Sequence, residues 1–556
     1  MRHSAKFLIL CLTTVATASP LTAQAPLDHR ELPADQQVIH ALNRLTFGAR
    51  PGDVQRVRAM GLDKWVDQQL HPERIKDPRI DQIVGRYPAL AQDQTALLAS
   101  YAEAQRSRRM AAKDSSSTDR VRPGKDMAAR QVVQSRRRVV TEVQSARVAR
   151  AVAGERQLEE VMTDFWLNHF NVYDRKGPPE AFYLADYERE AIRPHALGKF
   201  RELLANVAKS PAMLFYLDNA RSMAASDRPR LGNARARGQV AGKRGGLNEN
   251  YGRELLELHT LGVDGGYTQQ DVINVARALT GWTIKQPALG GGFIFRPQIH
   301  DAGSKTVLGH KLAANRGMED GEDVLTILSR HPATARYIST KLARRFISDS
   351  PPQSVIDRAS AVFLRTDGDI REVVKTIITS NEFYAQQAYR AKVKSPFEVV
   401  VSAMRAMNAQ PDSTPRTAQM IAYLGQPLFG HQAPNGYPET GDAWMNSGAI
   451  LNRINFGMAA AANRIPGARV EAIPGLDSIS RASRAQQVDA VVAGLLGGFA
   501  SPDTRAVLLS GENPMLPAGS LIEVAMDGDR AMRVPQLKGI SQVVGLALGS
   551  PEFQRR

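Results

Sequence analysis

The residues able to do chemistry in this sequence are Glu254 and Glu257, His300 and Asp301, and His169. Glu254 and Glu257 lie in the run Asn248-Glu249-Asn250-Tyr251-Gly252-Arg253-Glu254-Leu255-Leu256-Glu257-Leu258-His259-Thr260-Leu261. On a helix turning about 100° per residue, Asn250, Glu254, Glu257 and Leu261 share one face. Tyr251, Leu255 and Leu258 occupy another, with His259 beside Leu255. Leucines nearly all round the helix predict that it is buried. Carboxylates with little water must be paired, protonated or metal-bound, because an unpaired buried charge is very costly. In one reading Glu254 and Glu257, with Asn250, ligate a divalent cation. In a second, one carboxylate is a general acid or base with a raised pKa. The structural alternative, the commoner outcome for such a pair, is a buried ion-pair network with Arg253, Arg189, Arg193 or Arg277 as partners.

His300-Asp301 precedes Gly303 and Lys305 in a stretch that reads as a hairpin or loop, where sites are common. His300 would be a base or ligand, Asp301 its orienting partner and Lys305 an anion contact. The alternative is a turn in which Asp301 caps its own backbone. His169 follows Phe165 and Trp166 on one helix face, and His259 sits among leucines. Each is more often a satisfied core histidine than a ligand. No histidine has a glutamate three places before it, and there is no His-Glu-x-x-His, so carboxylate-bridged di-iron and zincin sites are disfavoured. The segment Gly430 to Ser447 holds His431, Asn435, Tyr437, Pro438 and Trp444. It either lines a carbohydrate or peptide groove or plugs a gap between helices.

No nucleophile elbow, P-loop, dinucleotide fingerprint or haem-attachment motif occurs, so nucleotide, flavin and haem chemistry lose weight. The Arg-rich stretch 106–138 lacks interleaved aromatics, which leaves single-strand nucleic-acid stacking without support.

At the N-terminus, Arg2 and Lys6 precede an apolar run from Phe7 to Ala18 and the small-x-small string Ala23-Gln24-Ala25. This is the layout of a Sec-type signal peptide over residues 1–25. The apolar run is too short to span a bilayer, and no later segment is apolar enough for a transmembrane helix. The mature protein is expected to be soluble and periplasmic or secreted. Cleavage removes Cys11, the one cysteine, and with it disulfides, thiolate ligands and cysteine nucleophiles. The formal charge of +16 makes this a basic protein, suited in an exported chain to an anionic envelope polymer or acidic lipid rather than nucleic acid, or to no specific partner at all.

The elements that must position these residues are helices. Residues 35–105 read as an N-terminal helical region, with a helix around Val38–Leu45 and a second from Asp53 to Leu70. Residues 106–130 read as an Arg/Ser-rich loop or linker. A central helical core covers 131–285, with helices expected over Glu155–Tyr173, Phe182–His195, Leu197–Lys209, Asn248–Leu261 and Gln269–Gly281, and a mobile loop at 220–246. A β excursion follows at 286–312, then a C-terminal helical region at 313–460 and a helical tail region at 461–556. The fold class is all-α, a multi-helix array with a minor β-hairpin insertion around 290–310.

Several strings occur in a fixed order: Leu42-Asn43-Arg44-Leu45-Thr46-Phe47-Gly48, Phe165-Trp166-Leu167-Asn168-His169-Phe170, the long run from Asn248 to Gly262, Ala278-Leu279-Thr280-Gly281-Trp282, His300-Asp301-x-Gly303-x-Lys305, and Pro434-Asn435-Gly436-Tyr437-Pro438 with Trp444-Met445-Asn446-Ser447. Together they resemble the domain-of-unknown-function 1800 family of exported bacterial proteins, over roughly residues 35–556. Where that family has a Pro-Asn-Val-x-Gly-Trp pattern, this chain has Tyr437 in place of the tryptophan. The resemblance implies export, and often a second exported protein, of a family related to sulfatases, encoded nearby. It implies no established reaction and no catalytic residues.

Two functions remain open. One is a cell-envelope or secreted helical scaffold or binding protein, with the second exported protein or an anionic envelope polymer as partner. The other is a secreted hydrolase-like enzyme acting on an extracellular polymer by acid–base or metal-assisted chemistry. An enzyme requires the five side chains to converge; a scaffold leaves them scattered and locally satisfied.

Overall fold

The computed structural model describes residues 30–113, 123–224, 246–411, 413–512, 522–526, 530–534 and 536–556. Residues 1–25, expected to be a signal peptide, and most of 220–246, expected to be a mobile loop, lie outside these. The protein is mainly helical, with small antiparallel hairpins, as expected. Trp282–Ile284 pairs with Phe293–Phe295, and Lys305–Val307 with His310–Leu312. A third hairpin, Ile522–Met526 with Arg530–Val534, falls in the tail region that the sequence reads as helical. Its sequence sign is the Asp527-Gly528 dipeptide between two short runs of apolar and polar residues.

Several boundaries differ from expectation for identifiable reasons. Asp53 to Leu70 is two helices, Asp53–Met60 and Leu62–Leu70, because Gly61 adopts φ 87° and breaks the ladder. The expected irregular stretch 106–130 is narrower than composition suggests. Helix Gln94–Lys113 runs into it and helix Pro123–Ala153 starts within it, leaving 114–122 outside the described residues. Arginine is a good helix former, so an Arg-rich stretch is no barrier to a helix.

The helix Gln157–His169 lies at the centre, with almost every residue buried. Trp166 is fully buried, and its indole N–H donates to Ala196 O at 3.0 Å. Against this axis pack helix Pro123–Ala153, the Tyr187–Ile192 turn and helix Leu62–Leu70. Helix Glu249–Glu257 is shorter than the expected Asn248–Leu261 and packs on Gln269–Ala278. One large hydrophobic core runs from Leu32 to Phe553. Among the described residues, no helix is long and apolar enough to cross a membrane.

Candidate functional site

Among the described residues, no hydrogen bond or ion pair joins Glu254 or Glu257 to His300, Asp301 or His169. Glu254 and Glu257 are half-exposed rather than buried, because the apolar face of their helix is Tyr251, Leu255 and Leu256. The expectation of carboxylates without water is therefore corrected. So is the expected network: Arg253 reaches Glu249 and Gln269, Arg189 Asp186, Arg193 Glu160 and Glu188, and Arg277 Asp301. Glu257 accepts from the Tyr267 hydroxyl at 2.9 Å. Partial burial, then the neighbouring Glu257 charge, push the Glu254 carboxyl above its ordinary range. The Asn250 side-chain amide donates to Leu217 O at 3.5 Å, and its backbone N–H donates to Asn248 Oδ1. Among the described residues, no group of three or more His, Cys, Asp or Glu side chains is placed to hold a metal ion.

His300 and Asp301 belong to a different set of contacts. His300 Nδ1 donates to Thr280 O at 2.7 Å, and Nε2 faces Asp320 Oδ2 at 3.4 Å. Asp301 takes a two-pronged bond from Arg277 (2.9 and 3.0 Å) and accepts from Gly303 N. The latter is the self-capping turn weighed above. Burial raises the Asp301 carboxyl, but the Arg277 bonds outweigh this and hold it below its ordinary range. Lys305 is buried and donates to Asp320, Asp301 O and Gly303 O, so its ammonium is fully used. His169 lies among Phe165, Trp166, Phe170 and Tyr337, and its Nε2 donates to His259 O at 3.1 Å. Burial, then the Lys341 charge, drive its pKa well below the ordinary imidazole value.

A different place gathers charge around open space. Arg147 on helix Pro123–Ala153, Asp164 on helix Gln157–His169, Arg345 on helix Pro332–Phe346 and Glu398 on helix Pro396–Ala406 face a common cavity with Lys392 and Arg556. The cavity measures about 60 Å³. Helix Pro396–Ala406 starts with a capping box in which Ser395 and Glu398 bond each other's backbone, which fixes Glu398 at the entrance. Arg345 spans Glu398 (2.9 Å) and Asp164 (3.4 Å), Arg556 reaches Glu398 at 3.1 Å, and Arg147 bonds Asp164. Burial alone would raise Glu398, yet Arg556 and Arg345 bring it down to about 2. Burial and the Arg556 charge lower Lys392 to about 8.

The Gly430–Ser447 segment forms the lid of this cavity, so lining and plugging are one role. Asn168 Oδ1 accepts from Tyr437 N at 2.7 Å and its Nδ2 donates to Tyr437 O at 2.9 Å, a side chain mimicking a strand partner. Asn171 donates to His431 O and Ala433 O. Gly436 sits at φ 70°, and a Cβ there would fall 2.2 Å from Asn168 O, so no other residue fits. The Tyr437 hydroxyl donates to Pro427 O and the Trp444 indole to Pro438 O.

The lining carries four cations, Arg147, Arg345, Lys392 and Arg556, against three acids, Asp164, Glu398 and Glu439. Outside that shell Asp349 offsets Lys392, and Lys341 stands 3.5 Å from Glu439. Nε of Arg147, Arg345 and Arg556 and both Glu439 carboxylate oxygens are buried without hydrogen-bond partners. The cavity thus has one more positive than negative charge, with spare donors at three arginines and spare acceptors at Glu439. Sequence reasoning reached the Asn168 and Tyr437 strings but not the three arginines, which come from three distant parts of the chain.

The family model for DUF1800, a protein family of unknown function, matches residues 40–555. The chain belongs to this family. The match takes in the central helix, the lid and every residue of the cavity lining except Arg556. No match is found among curated proteins or among solved structures.

Proposed function

We propose that the protein is an exported helical binding protein whose cavity at Arg345 and Arg556 seats a small organic or inorganic anion. The observation carrying this reading is the surplus of buried positive charge around a cavity of about 60 Å³, with unpartnered guanidinium N–H groups. A buried donor left unpaired costs about 1–3 kcal/mol, and an oxyanion supplies acceptors to several at once. The small volume suits a carboxylate, phosphate or short diacid. Export rests on the signal-peptide pattern at residues 1–25.

The test is calorimetric titration of the mature protein with acetate, malonate and phosphate, with glycerol as the neutral control. Saturable binding of at least one anion, weakened at least tenfold in Arg345→Gln, supports the reading. Equal responses to anions and glycerol, or an unchanged affinity in that variant, overturn it.

One observation favours a second reading, a secreted hydrolase. Glu254 has a raised pKa beside an acceptor-occupied Glu257, the pairing that acid–base hydrolysis uses. Loss of turnover on extracellular polysaccharides or peptides in Glu254→Gln, with the fold intact, is the result this reading requires.

A further inference from the structure

A second, larger cavity of about 480 Å³ lies between residues 39–58, the segment 390–406, residues 473–474 and 493–498, and the C-terminal residues 552–555. Part of its lining is small: Gly48, Ala49, Gly494 and Gly498 contribute backbone or a single methyl. Its charge is one-sided. Arg50, Arg58, Arg390, Lys394 and Arg555 line it against a single acid, Glu552. That acid is already taken by Ser501 N and Thr504 Oγ1, both at 2.8 Å. Arg50 and Arg58 are paired with Glu155 and Asp35. Arg390, Lys394 and Arg555 have no ion-pair partner among the described residues.

The two inner cations are held ready without an anion. Arg390 adopts φ 54°, an uncommon backbone state for a non-glycine residue. One guanidinium nitrogen bonds Leu496 O, while Nε and Nη1 are buried with no hydrogen-bond partner. Its Cζ lies 5.5 Å from the ring centroid of Phe499, which follows the lining residue Gly498 in the chain and is 56% exposed. Lys394 is buried, with only Ser402 Oγ at 3.1 Å and the Phe553 face at 4.0 Å. Burial lowers its pKa to about 7, and an arriving carboxylate would restore its charge.

We infer that this cleft binds a linear carboxylated polysaccharide. The cations supply carboxylate contacts, the glycines of the lining let a flat sugar ribbon lie against backbone, and the exposed Phe499 ring beside Gly498 offers a stacking face for a pyranose. A nucleic-acid strand is less well served, since base stacking needs a series of exposed aromatic platforms, whereas Phe553 in the lining is buried and Phe499 is a single exposed ring beside it. A planar lipid surface does not enter a concave cleft. This inference is independent of the anion cavity, which lies on the other side of the 392–394 segment.

The experiment is binding of the full mature protein to polygalacturonate, with neutral dextran and an oligothymidylate as comparison polymers, at several salt concentrations. Expected is saturable binding to polygalacturonate and none to dextran. Arg390→Gln/Arg555→Gln should weaken it about tenfold and flatten its salt dependence. Arg555 is exposed, so Arg555→Gln alone gives a smaller loss of the same sign with the fold untouched. The charge-matched control is Arg137→Gln/Arg138→Gln, on the exposed face of helix Pro123–Ala153, which should change little. Equal losses in control and cleft variants, no loss in the cleft variants, or tighter binding of the oligothymidylate would overturn the assignment.

Discussion

Val393 and Arg555 pair across an isolated antiparallel bridge, and this bridge is the partition between two polar cavities. On one side lie Lys392 and Arg556, on the other Lys394 and Arg555. Backbone bonds in both directions between Lys392 and Arg556, and from Lys394 N to Gln554 O, hold the wall. The C-terminal residues are thus structural parts of both cavities.

Glu398 is the hinge of the charge network on the first side. Its carboxyl is fully buried and held at about 2 against an ordinary 4.5. A depressed carboxyl contributes stability that is present above about pH 4.5 and lost as pH falls toward 2. The shift corresponds to about 3 kcal/mol. Glu398→Gln should therefore lower unfolding stability at pH 7 by about 3–5 kcal/mol, since it leaves Arg345 and Arg556 without their shared anion. Urea unfolding at pH 7 and pH 3 checks both parts: the gap between wild type and variant should narrow at the lower pH.

Asp320 plays the corresponding part beneath the second hairpin. It is fully buried and holds Lys305 Nζ at 2.7 Å, with His300 at 3.4 Å and Arg316 at 3.3 Å. Asp320→Asn should destabilise by about 3–5 kcal/mol, because it strands a buried ammonium. Anion binding at Arg345 should be unaffected once the variant is folded. Parallel thermal unfolding and titration separate the two effects. A loss of anion affinity without loss of stability would place His300 and Lys305 in a site after all.

How much of this the sequence could tell depends on distance along the chain. The helical array and the 290–310 hairpins follow from local periodicity and glycine placement, which need only neighbours. The Asp301 self-capping turn was one of two local readings, and both were visible in Asp301-x-Gly303. The Glu254 environment was misjudged because leucines on nearly every side of a helix do not reveal which face meets the core; Leu255 and Leu256 won. The Arg147–Asp164–Arg345–Glu398–Arg556 network was illegible, because arginines that neutralise buried carboxylates across hundreds of residues look like ordinary surface charge. The Pro434–Pro438 string pointed to the right lid for a reason the sequence does not contain, the two bonds from Asn168.

Gly436 tests that lid. Alanine there would carry a side chain at φ 70° and drive its Cβ into Asn168 O. The strain and the broken Asn168–Tyr437 bonds should cost about 2–4 kcal/mol. Anion affinity should drop with it, because Tyr437 and Glu439 move. Asn168→Ala removes the same two bonds without strain, about 1–3 kcal/mol, and should show the same loss of affinity. Titration of both variants decides whether the lid or the strain matters: affinity retained in Asn168→Ala would detach the lid from binding.

His259 makes the protein sensitive to acid from its interior. It is fully buried, neither ring nitrogen has a hydrogen-bond partner, and burial followed by the Lys341 charge lowers its pKa to about 3. The unfolded chain takes up this proton near pH 6.5 and the folded chain only near 3. Its contribution to stability is therefore complete above pH 6.5 and lost as pH falls through that window, about 1.4 kcal/mol per unit. His259→Phe removes the titrating ring and sacrifices no side-chain hydrogen bond, while the backbone carbonyl that accepts from His169 stays. The variant should match wild type near pH 7.5 within the cost of a volume-conserving swap, and exceed it by about 2 kcal/mol at pH 5. Denaturant unfolding at the two pH values measures this directly. A wild-type protein that loses no more stability than the variant between them would mean that His259 is protonated in the folded state and has a partner that neutralises it.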